Sequence, residues 1–219
     1  MYKHFFKRFL DILLSTLVLL VFWWVYVILA ILVKTKLGSP VIHRANRVGK
    51  DGKVFCLYKF RSMTNETDEN GKLLPDARRL TKFGRVLRAT SLDELPELIN
   101  IIKGDMSIIG PRPMPPVYLP YFTATERKRH TVRPGLSGWA QVNGRNSVQW
   151  TEKFRLDVWY VEHLSFVLDV KIIVKTFVKV IKHDDIGQGE EAPKDFNVER
   201  GDWILTDEGA LDPKEGPKV

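Results

Sequence analysis

From Ile12 to Val33 the chain is apolar apart from Ser15, Thr16 and the hydroxyl of Tyr26, a run of 22 residues without a charge. As a helix it measures about 33 Å, enough to cross the hydrocarbon core of a bilayer. A helix apolar on all sides must be buried in protein or in lipid. The run is too long for a cleaved signal peptide, and no small-residue cleavage site follows it. Lys3, Lys7 and Arg8 precede it; Lys34, Lys36, Arg44 and Arg47 follow it. A spanning helix would leave one basic cluster on the translocated side, against the positive-inside tendency. A re-entrant helix keeps both clusters cytoplasmic, and this is the expected form. The segment lacks proline, the usual cause of a sharp kink. Trp23 and Trp24 in its middle are therefore read as a shallow bend or as a packing contact.

The formal net charge of +8 is unevenly distributed. From Asp184 onward the local charge is −7, which leaves about +15 on residues 1–183. A body this basic suits anionic lipid headgroups, a nucleotide diphosphate or nucleic acid. The single cysteine, Cys56, forms no intramolecular disulfide, as suits a reducing cytoplasm. No Cys/His cluster has zinc-ligand spacing. Three parts are expected: a membrane helix with basic flanks (1–36), a catalytic domain with interface helices (37–183), and an acidic, flexible tail (184–219). Within the tail, Trp203-Ile204-Leu205 is the stretch able to dock.

The stretch from Arg88 to Pro113 organises the domain. Asp93 and Glu94 open an apolar-periodic run (Leu95, Leu98, Ile101, Ile102) that predicts a short helix. Ser91 stands at capping-box spacing before Glu94, so the two acids suit a helix N-terminus. Pro96 would then fall in the second turn, so irregular backbone is expected around the pair. Irregular backbone beside paired acids is more typical of a site than of a plain cap. Lys103-Gly104-Asp105 predicts a turn and Met106–Ile109 a short strand. Gly110-Pro111-Arg112-Pro113 then presents the Arg112 guanidinium from rigid backbone.

Upstream, Pro40–Arg44 and Val54–Tyr58 read as strands joined by a hairpin turn at Asp51-Gly52. Lys59 and Arg61 would share one face of the second strand, either as edge-guarding charge or as phosphate contacts. Residues 65–76 read as a mobile loop, and Leu80, Phe83, Val86 and Leu87 as a helix that carries Arg85 and Arg88. Arg127-Lys128-Arg129 reads as a solvated or lipid-facing run. Asn143-Gly144 predicts a tight turn, around which Gln141, Asn143 and Arg145 offer groups able to read a uracil, a sugar hydroxyl or a phosphate. Asp157 lies on an aromatic-rich helix, where an acid is usually paired. Residues 166–181 set Lys171, Lys175, Lys179 and Lys182 in one stripe. That suits a helix in a membrane interface, and equally a core helix with a solvated face.

Ser-Leu-Asp-Glu-Leu-Pro (91–96), Lys-Gly-Asp-Met-Ser-Ile-Ile-Gly-Pro-Arg-Pro (103–113) and Val-Arg-Pro-Gly-Leu-Ser-Gly-Trp-Ala-Gln-Val-Asn-Gly-Arg (132–145) together resemble the bacterial monotopic phosphoglycosyl transferases. The similarity runs from about Phe6 to about Lys182. It implies an α/β fold, mostly helical, with a re-entrant membrane helix, interface helices and a small cytoplasmic catalytic domain with little sheet. It also implies a place on the cytoplasmic face of the bacterial inner membrane, among anionic lipids. The family breaks its re-entrant helix at a Ser-Pro pair; here Trp23-Trp24 stands in its place.

By the same resemblance Asp93 is the nucleophile that takes a phospho-sugar from a UDP-sugar, commonly an N-acetylated hexose. Glu94 is the acid linked to Mg2+, and polyprenol phosphate collects the phospho-sugar. Lys59, Arg88, Arg112, Gln141, Asn143, Arg145 and Asp157 are the expected substrate- and phosphate-binding residues. Nucleic acid is not an expected partner. Two rival readings are a single-displacement transferase, with Asp93 only a metal ligand, and a non-catalytic basic scaffold on the membrane.

Overall fold

A computed structural model describes residues 2–144, 149–182, 196–206 and 209–211. The apolar segment folds as two helices, α1 (Lys7–Val21) and α2 (Trp23–Leu37), bent by 67° at Phe22. Among the described residues no single helix is long and apolar enough to cross a membrane, and this bent pair meets the criterion only jointly. The bend is sharp where a shallow one was expected, and it falls one residue before the tryptophan pair. Phe22 leaves helical geometry (φ −107°, ψ 19°), and the Val25 N–H donates to the Phe22 carbonyl across a shortened turn.

Both arms are tied to the same body, which explains a bend made without proline. α1 turns its polar side inward. Asp11 and Ser15 are buried, and the Asp11 carboxylate accepts the Ile108 N–H at 2.9 Å. Arg8 donates to the carbonyls of Ile101 and Ile102, in the last turn of a helix at Glu97–Lys103, where a cation also meets the favourable end of the dipole. The opposite face (Phe9, Leu13, Leu17, Leu20) is exposed. α2 instead buries Leu29, Val33 and Leu37 against Phe60 and Leu87, and the Tyr26 hydroxyl donates to the Leu95 carbonyl at 2.7 Å.

The body is mostly helical. Strands β1 (Ile42–Val48) and β2 (Val54–Phe60) form an antiparallel hairpin that pairs Ile42 with Phe60 and Val48 with Val54. Its turn holds Asp51 at φ 56°, a left-handed conformation that Asp tolerates better than most residues. Helices α3 (Asp76–Arg79), α4 (Lys82–Ala89) and α5 (Glu97–Lys103) follow. Strand β3 (Ser107–Ile109) then meets β4 (Gly135–Ser137) in parallel, on either side of the short helix α6 (Ala124–Arg127) in sequence. A Cβ on Gly110 or Gly135 would overlap the facing backbone, because each lies against the other's segment. The Gly-Pro-Arg-Pro and Arg-Pro-Gly motifs therefore interlock main chain to main chain, and Arg112 projects from that lock.

Helices α7 (Trp139–Asn143), α8 (Trp150–Glu162) and α9 (Phe166–Lys182) complete the matched motifs. Asn143 ends a short helix where a tight turn was expected. Ile109, Val142, Tyr160, Val161 and Ile172 pack as one cluster beneath α9, while Phe166, Val167, Val174 and Phe177 on its other side are exposed. In the C-terminal region, α10 (Phe196–Glu199) and the two-residue strands β5 (Ile204–Leu205) and β6 (Ala210–Leu211) pack on the domain. A flexible tail was the expectation there. Phe196 fills an aromatic cluster with Tyr118, Phe122 and Phe154, and the charge count that suggested a tail carried no sign of that anchor.

Candidate active site

The expected irregularity around the acid pair takes a specific form. Ser91 adopts left-handed dihedrals (φ 55°) and makes no side-chain cap, Leu92–Glu94 form a single 3-10 turn, and Pro96 precedes the first residue of α5. Ending one turn and starting another lets proline stand without a lost hydrogen bond. It also buries Asp93 (8% exposed) and brings Glu97, only 3% exposed, beside Glu94.

Lys59 of β2 sits between them, its Nζ 2.7 Å from Glu94 Oε1 and 3.0 Å from Glu97 Oε1. Arg112 reaches the same Glu94 oxygen at 3.4 Å. Glu94 Oε2 accepts no hydrogen bond from the described residues. Burial and the neighbouring Glu94 raise the Asp93 carboxyl to about 6. Burial and Glu94 raise Glu97 to about 7, while Arg112 and Lys59 pull Glu94 below its ordinary value despite its burial. At neutral pH Asp93 is thus ionised yet poorly solvated, the condition of an activated carboxylate.

A cavity of about 660 Å³ opens from this cluster. Glu94, Arg88 and Arg112 line it together with Ile173, Thr176 and Phe177 of α9. A second cavity of about 230 Å³, with Arg47, Lys59 and Glu97 in its wall, adjoins the cluster without any contribution from α9. Arg88 donates to the Ser62 hydroxyl at 2.9 Å, which fixes its guanidinium at the groove edge.

The expected site residues fall into three groups. Arg88, Glu94 and Arg112 line the groove, while Lys59 bridges Glu94 and Glu97 from the wall of the smaller cavity and Asp93 lies buried beside Glu94. Gln141 lines the groove, whereas Asn143 is engaged elsewhere, donating to the Trp139 carbonyl and accepting from Lys175 at 2.6 Å. Asp157 lines the groove but is buried in a pair with Arg129, whose Nε and Nη2 lie 3.1 and 2.7 Å from Asp157 Oδ2. Arg145 lies outside the described residues. Arg61 does not join Lys59; it is buried and donates to the carbonyls of Ser39 and Met63.

Three groups escaped the sequence reading. Glu97 had a signal in its spacing, since a proline between Glu94 and Glu97 restarts the helix. Arg129 overturns the solvated-run reading. It is 2% exposed and supports Arg112 from behind, donating to the Arg112 carbonyl at 2.7 Å. Charge pattern alone could not distinguish it from Lys128, which is exposed. Lys153 of α8 also reaches the groove, and nothing in its spacing marked it.

The sequence model of the bacterial sugar transferases matches residues 2–183. The chain belongs to that family. Its members include an uncharacterised sugar transferase of Bacillus subtilis, EpsL, 54% identical over 71% of this chain and 77% of its own length. Further relatives are a UDP-glucose:undecaprenyl-phosphate glucose-1-phosphate transferase of Escherichia coli, 41% identical over 79% of this chain, and a UDP-N-acetylgalactosamine-undecaprenyl-phosphate N-acetylgalactosaminephosphotransferase of Aeromonas hydrophila, 37% identical over 81%. The chain spans 39% and 44% of the length of those last two. Membership makes this protein a phosphoglycosyl transferase, and the scaffold reading falls away. The acid cluster lies inside the matched region.

Proposed function

We propose that this transferase moves a hexose 1-phosphate from a UDP-sugar to undecaprenyl phosphate through a covalent phospho-sugar on Asp93. The buried, ionised Asp93, next to a Glu94 that lines a groove shared with the exposed apolar helix α9, carries the reading. An Asp93 carboxylate oxygen attacks the phosphorus that bears the sugar. The bond from that phosphorus to the bridging oxygen breaks, and UMP leaves with the electron pair. The acyl phosphate so formed is then attacked by a phosphate oxygen of the lipid, which releases Asp93 and gives the lipid diphosphate sugar.

Arg88 and Arg112 answer the charge on the reacting phosphate, joined by Arg145 as the family resemblance has it. Lys59 holds Glu94 and Glu97 in place and stops their mutual repulsion from spreading the site. Among the described residues no group of three acids, histidines or cysteines could cage a metal. Mg2+ needs only one or two carboxylates when substrate phosphates and water complete its shell. Glu94, whose Oε2 accepts no hydrogen bond from the described residues, fits that demand, and Asp93 is its neighbour. Bound there, Mg2+ would neutralise the diphosphate and stabilise UMP as it leaves.

The exposed faces of α1, α2 and α9 are apolar over residues that a water-soluble surface would not carry. We read them as the surface that rests in the cytoplasmic leaflet of the inner membrane. The acceptor's isoprenoid chain then enters the groove past Phe177. Different relatives are named for glucose and N-acetylgalactosamine transfer, so the sugar is found by a panel in which N-acetylated hexoses come first.

The test is UMP release from UDP-sugars with Mg2+, with and without undecaprenyl phosphate, alongside intact-protein mass spectrometry. About one equivalent of UMP without lipid, a phospho-sugar adduct lost in Asp93→Asn, and turnover only with lipid are expected. Lipid-dependent turnover with neither burst nor adduct would replace the covalent route by single displacement.

A further inference from the structure

The C-terminal segment that packs on the domain lies beyond the part matched by the family, yet it is held by a buried cation. Arg200 is 1% exposed; its guanidinium donates to both Glu126 oxygens at 2.6 and 2.8 Å, to the Tyr121 carbonyl at 3.0 Å and to the Thr151 hydroxyl at 3.2 Å. Its Cζ lies 4.6 Å from the Phe196 ring centroid and 3.8 Å from that of Trp203. Phe196, itself fully buried, sits 4.9 Å from Phe154 and 6.0 Å from Trp150, centroid to centroid. Burying a guanidinium is costly unless its N–H groups are answered, and here the answering groups include the first turn of α8.

That turn is gripped from one side and faces the groove on the other. Thr151 and Phe154 meet the segment, while Trp150, Lys153 and Phe154 line the groove. Among the described residues, the N-cap Gln149 gives α8 no side-chain hydrogen bond, and the segment restrains the first turn through Thr151 and Phe154. Lys153 Nζ lies 4.8 Å from the Trp150 ring centroid, directed by the ring face. It shares the groove with Arg88 and Arg112. Trp150 also lines the smaller cavity, to which α9 contributes nothing, so this end of the groove lies away from the path of an isoprenoid chain.

We propose that Phe196 and Arg200 brace the first turn of α8 so that Lys153 meets the diphosphate of the nucleotide donor, making the C-terminal segment a determinant of donor affinity. Arg200 is then a positioning residue and Lys153 a binding one. The inference rests on the UDP-sugar donor proposed above.

The experiment uses the full-length protein in detergent, with UDP as the probe of donor binding and a short-chain polyprenyl phosphate as the probe of the acceptor. Lys153→Met should weaken UDP about tenfold and Arg200→Gln about fivefold, with no further loss when the two are combined. Polyprenyl phosphate affinity should stay within about twofold throughout. Phe196→Leu, a gentler change, should reproduce the UDP effect in part and stands in if Arg200→Gln does not fold. Thermal melts verify that each variant is folded at the assay temperature. Unchanged UDP affinity in a folded brace variant, additive losses in the double variant, or an equal loss for polyprenyl phosphate would each overturn the proposal, as would a wild type that does not bind UDP. A wild type that binds UDP but transfers nothing would refute the proposed reaction and leave the brace to be decided by the same affinities.

Discussion

Replacing Asp93 by Asn should stabilise the protein while stopping its chemistry. Folding moves the Asp93 carboxyl from its ordinary 3.8 up to about 6, chiefly by burial and then by Glu94. Between those values the folded state holds a proton that the unfolded state has released, so stability falls as pH rises and the loss is complete above about 6. At 1.36 kcal/mol per tenfold change the ionised group costs about 3 kcal/mol at pH 7.5 and about half that at pH 5. Asn keeps the shape and never ionises. In metal-free buffer Asp93→Asn should therefore melt roughly 5–10 °C above wild type at pH 7.5, with a smaller gap at pH 5. Added Mg2+ should narrow the gap at pH 7.5, because a cation at Glu94 favours the ionised carboxylate. Calorimetry at the two pH values, with and without Mg2+, checks this. An Asn variant that melts below wild type, or a gap that does not change with pH, would refute the account of Asp93 as a strained, desolvated anion.

Three further outcomes follow from the geometry. Lys59→Met leaves Glu94 and Glu97 facing each other with their shared cation gone, so transfer measured by UMP release should fall by at least about 100-fold, and adding Glu97→Gln should recover melting temperature but not rate. Asp157→Leu strands the buried Arg129 guanidinium at a cost of about 3–5 kcal/mol, read as a loss of denaturation midpoint, and slackens the Arg112 main chain that Arg129 holds. Leu17→Glu puts a charge on the exposed face of α1, so flotation with liposomes should be lost while stability stays within about 0.5 kcal/mol by denaturant titration.

The sequence revealed most where a residue's role depends on its near neighbours. Asp93, Glu94 and the irregular backbone that Pro96 enforces were legible, as were the β1–β2 hairpin and Arg112 on its proline-flanked perch. What stayed hidden depends on partners distant in the chain. Arg129 and Lys128 are adjacent and equally charged, and only the position of Asp157, 28 residues away, decides which is buried. The sharp bend at Phe22 has no local cause, since it arises from Arg8, Asp11 and Tyr26 finding partners at residues 95–108. The packed C-terminal segment sits in a run of acids whose composition resembles a tail, and its anchors are two residues, Phe196 and Arg200.

Those same long-range bonds tie the apolar helix pair to the chemistry. The Tyr26 hydroxyl holds the Leu95 carbonyl, one residue from Glu94. Arg8 holds the end of α5, the helix that begins at Glu97, and Asp11 holds the Ile108 N–H on the strand that leads to Arg112. A lipid-phosphate acceptor cannot move its headgroup far from the bilayer surface, so a site that serves it must stand at a fixed height above the apolar plane. With the exposed apolar faces in a bilayer, as proposed above, the three hydrogen-bonded contacts to the backbone stretches around the acid pair would fix that height more stiffly than side-chain packing on an exposed helix. Removing one of them, as in Tyr26→Phe, should cost only about 1 kcal/mol of stability. If the contacts set the height of the site, the same change should lower turnover on membrane-embedded acceptor more than on a short-chain acceptor in detergent, and equal effects on the two would show that they merely fasten the helix.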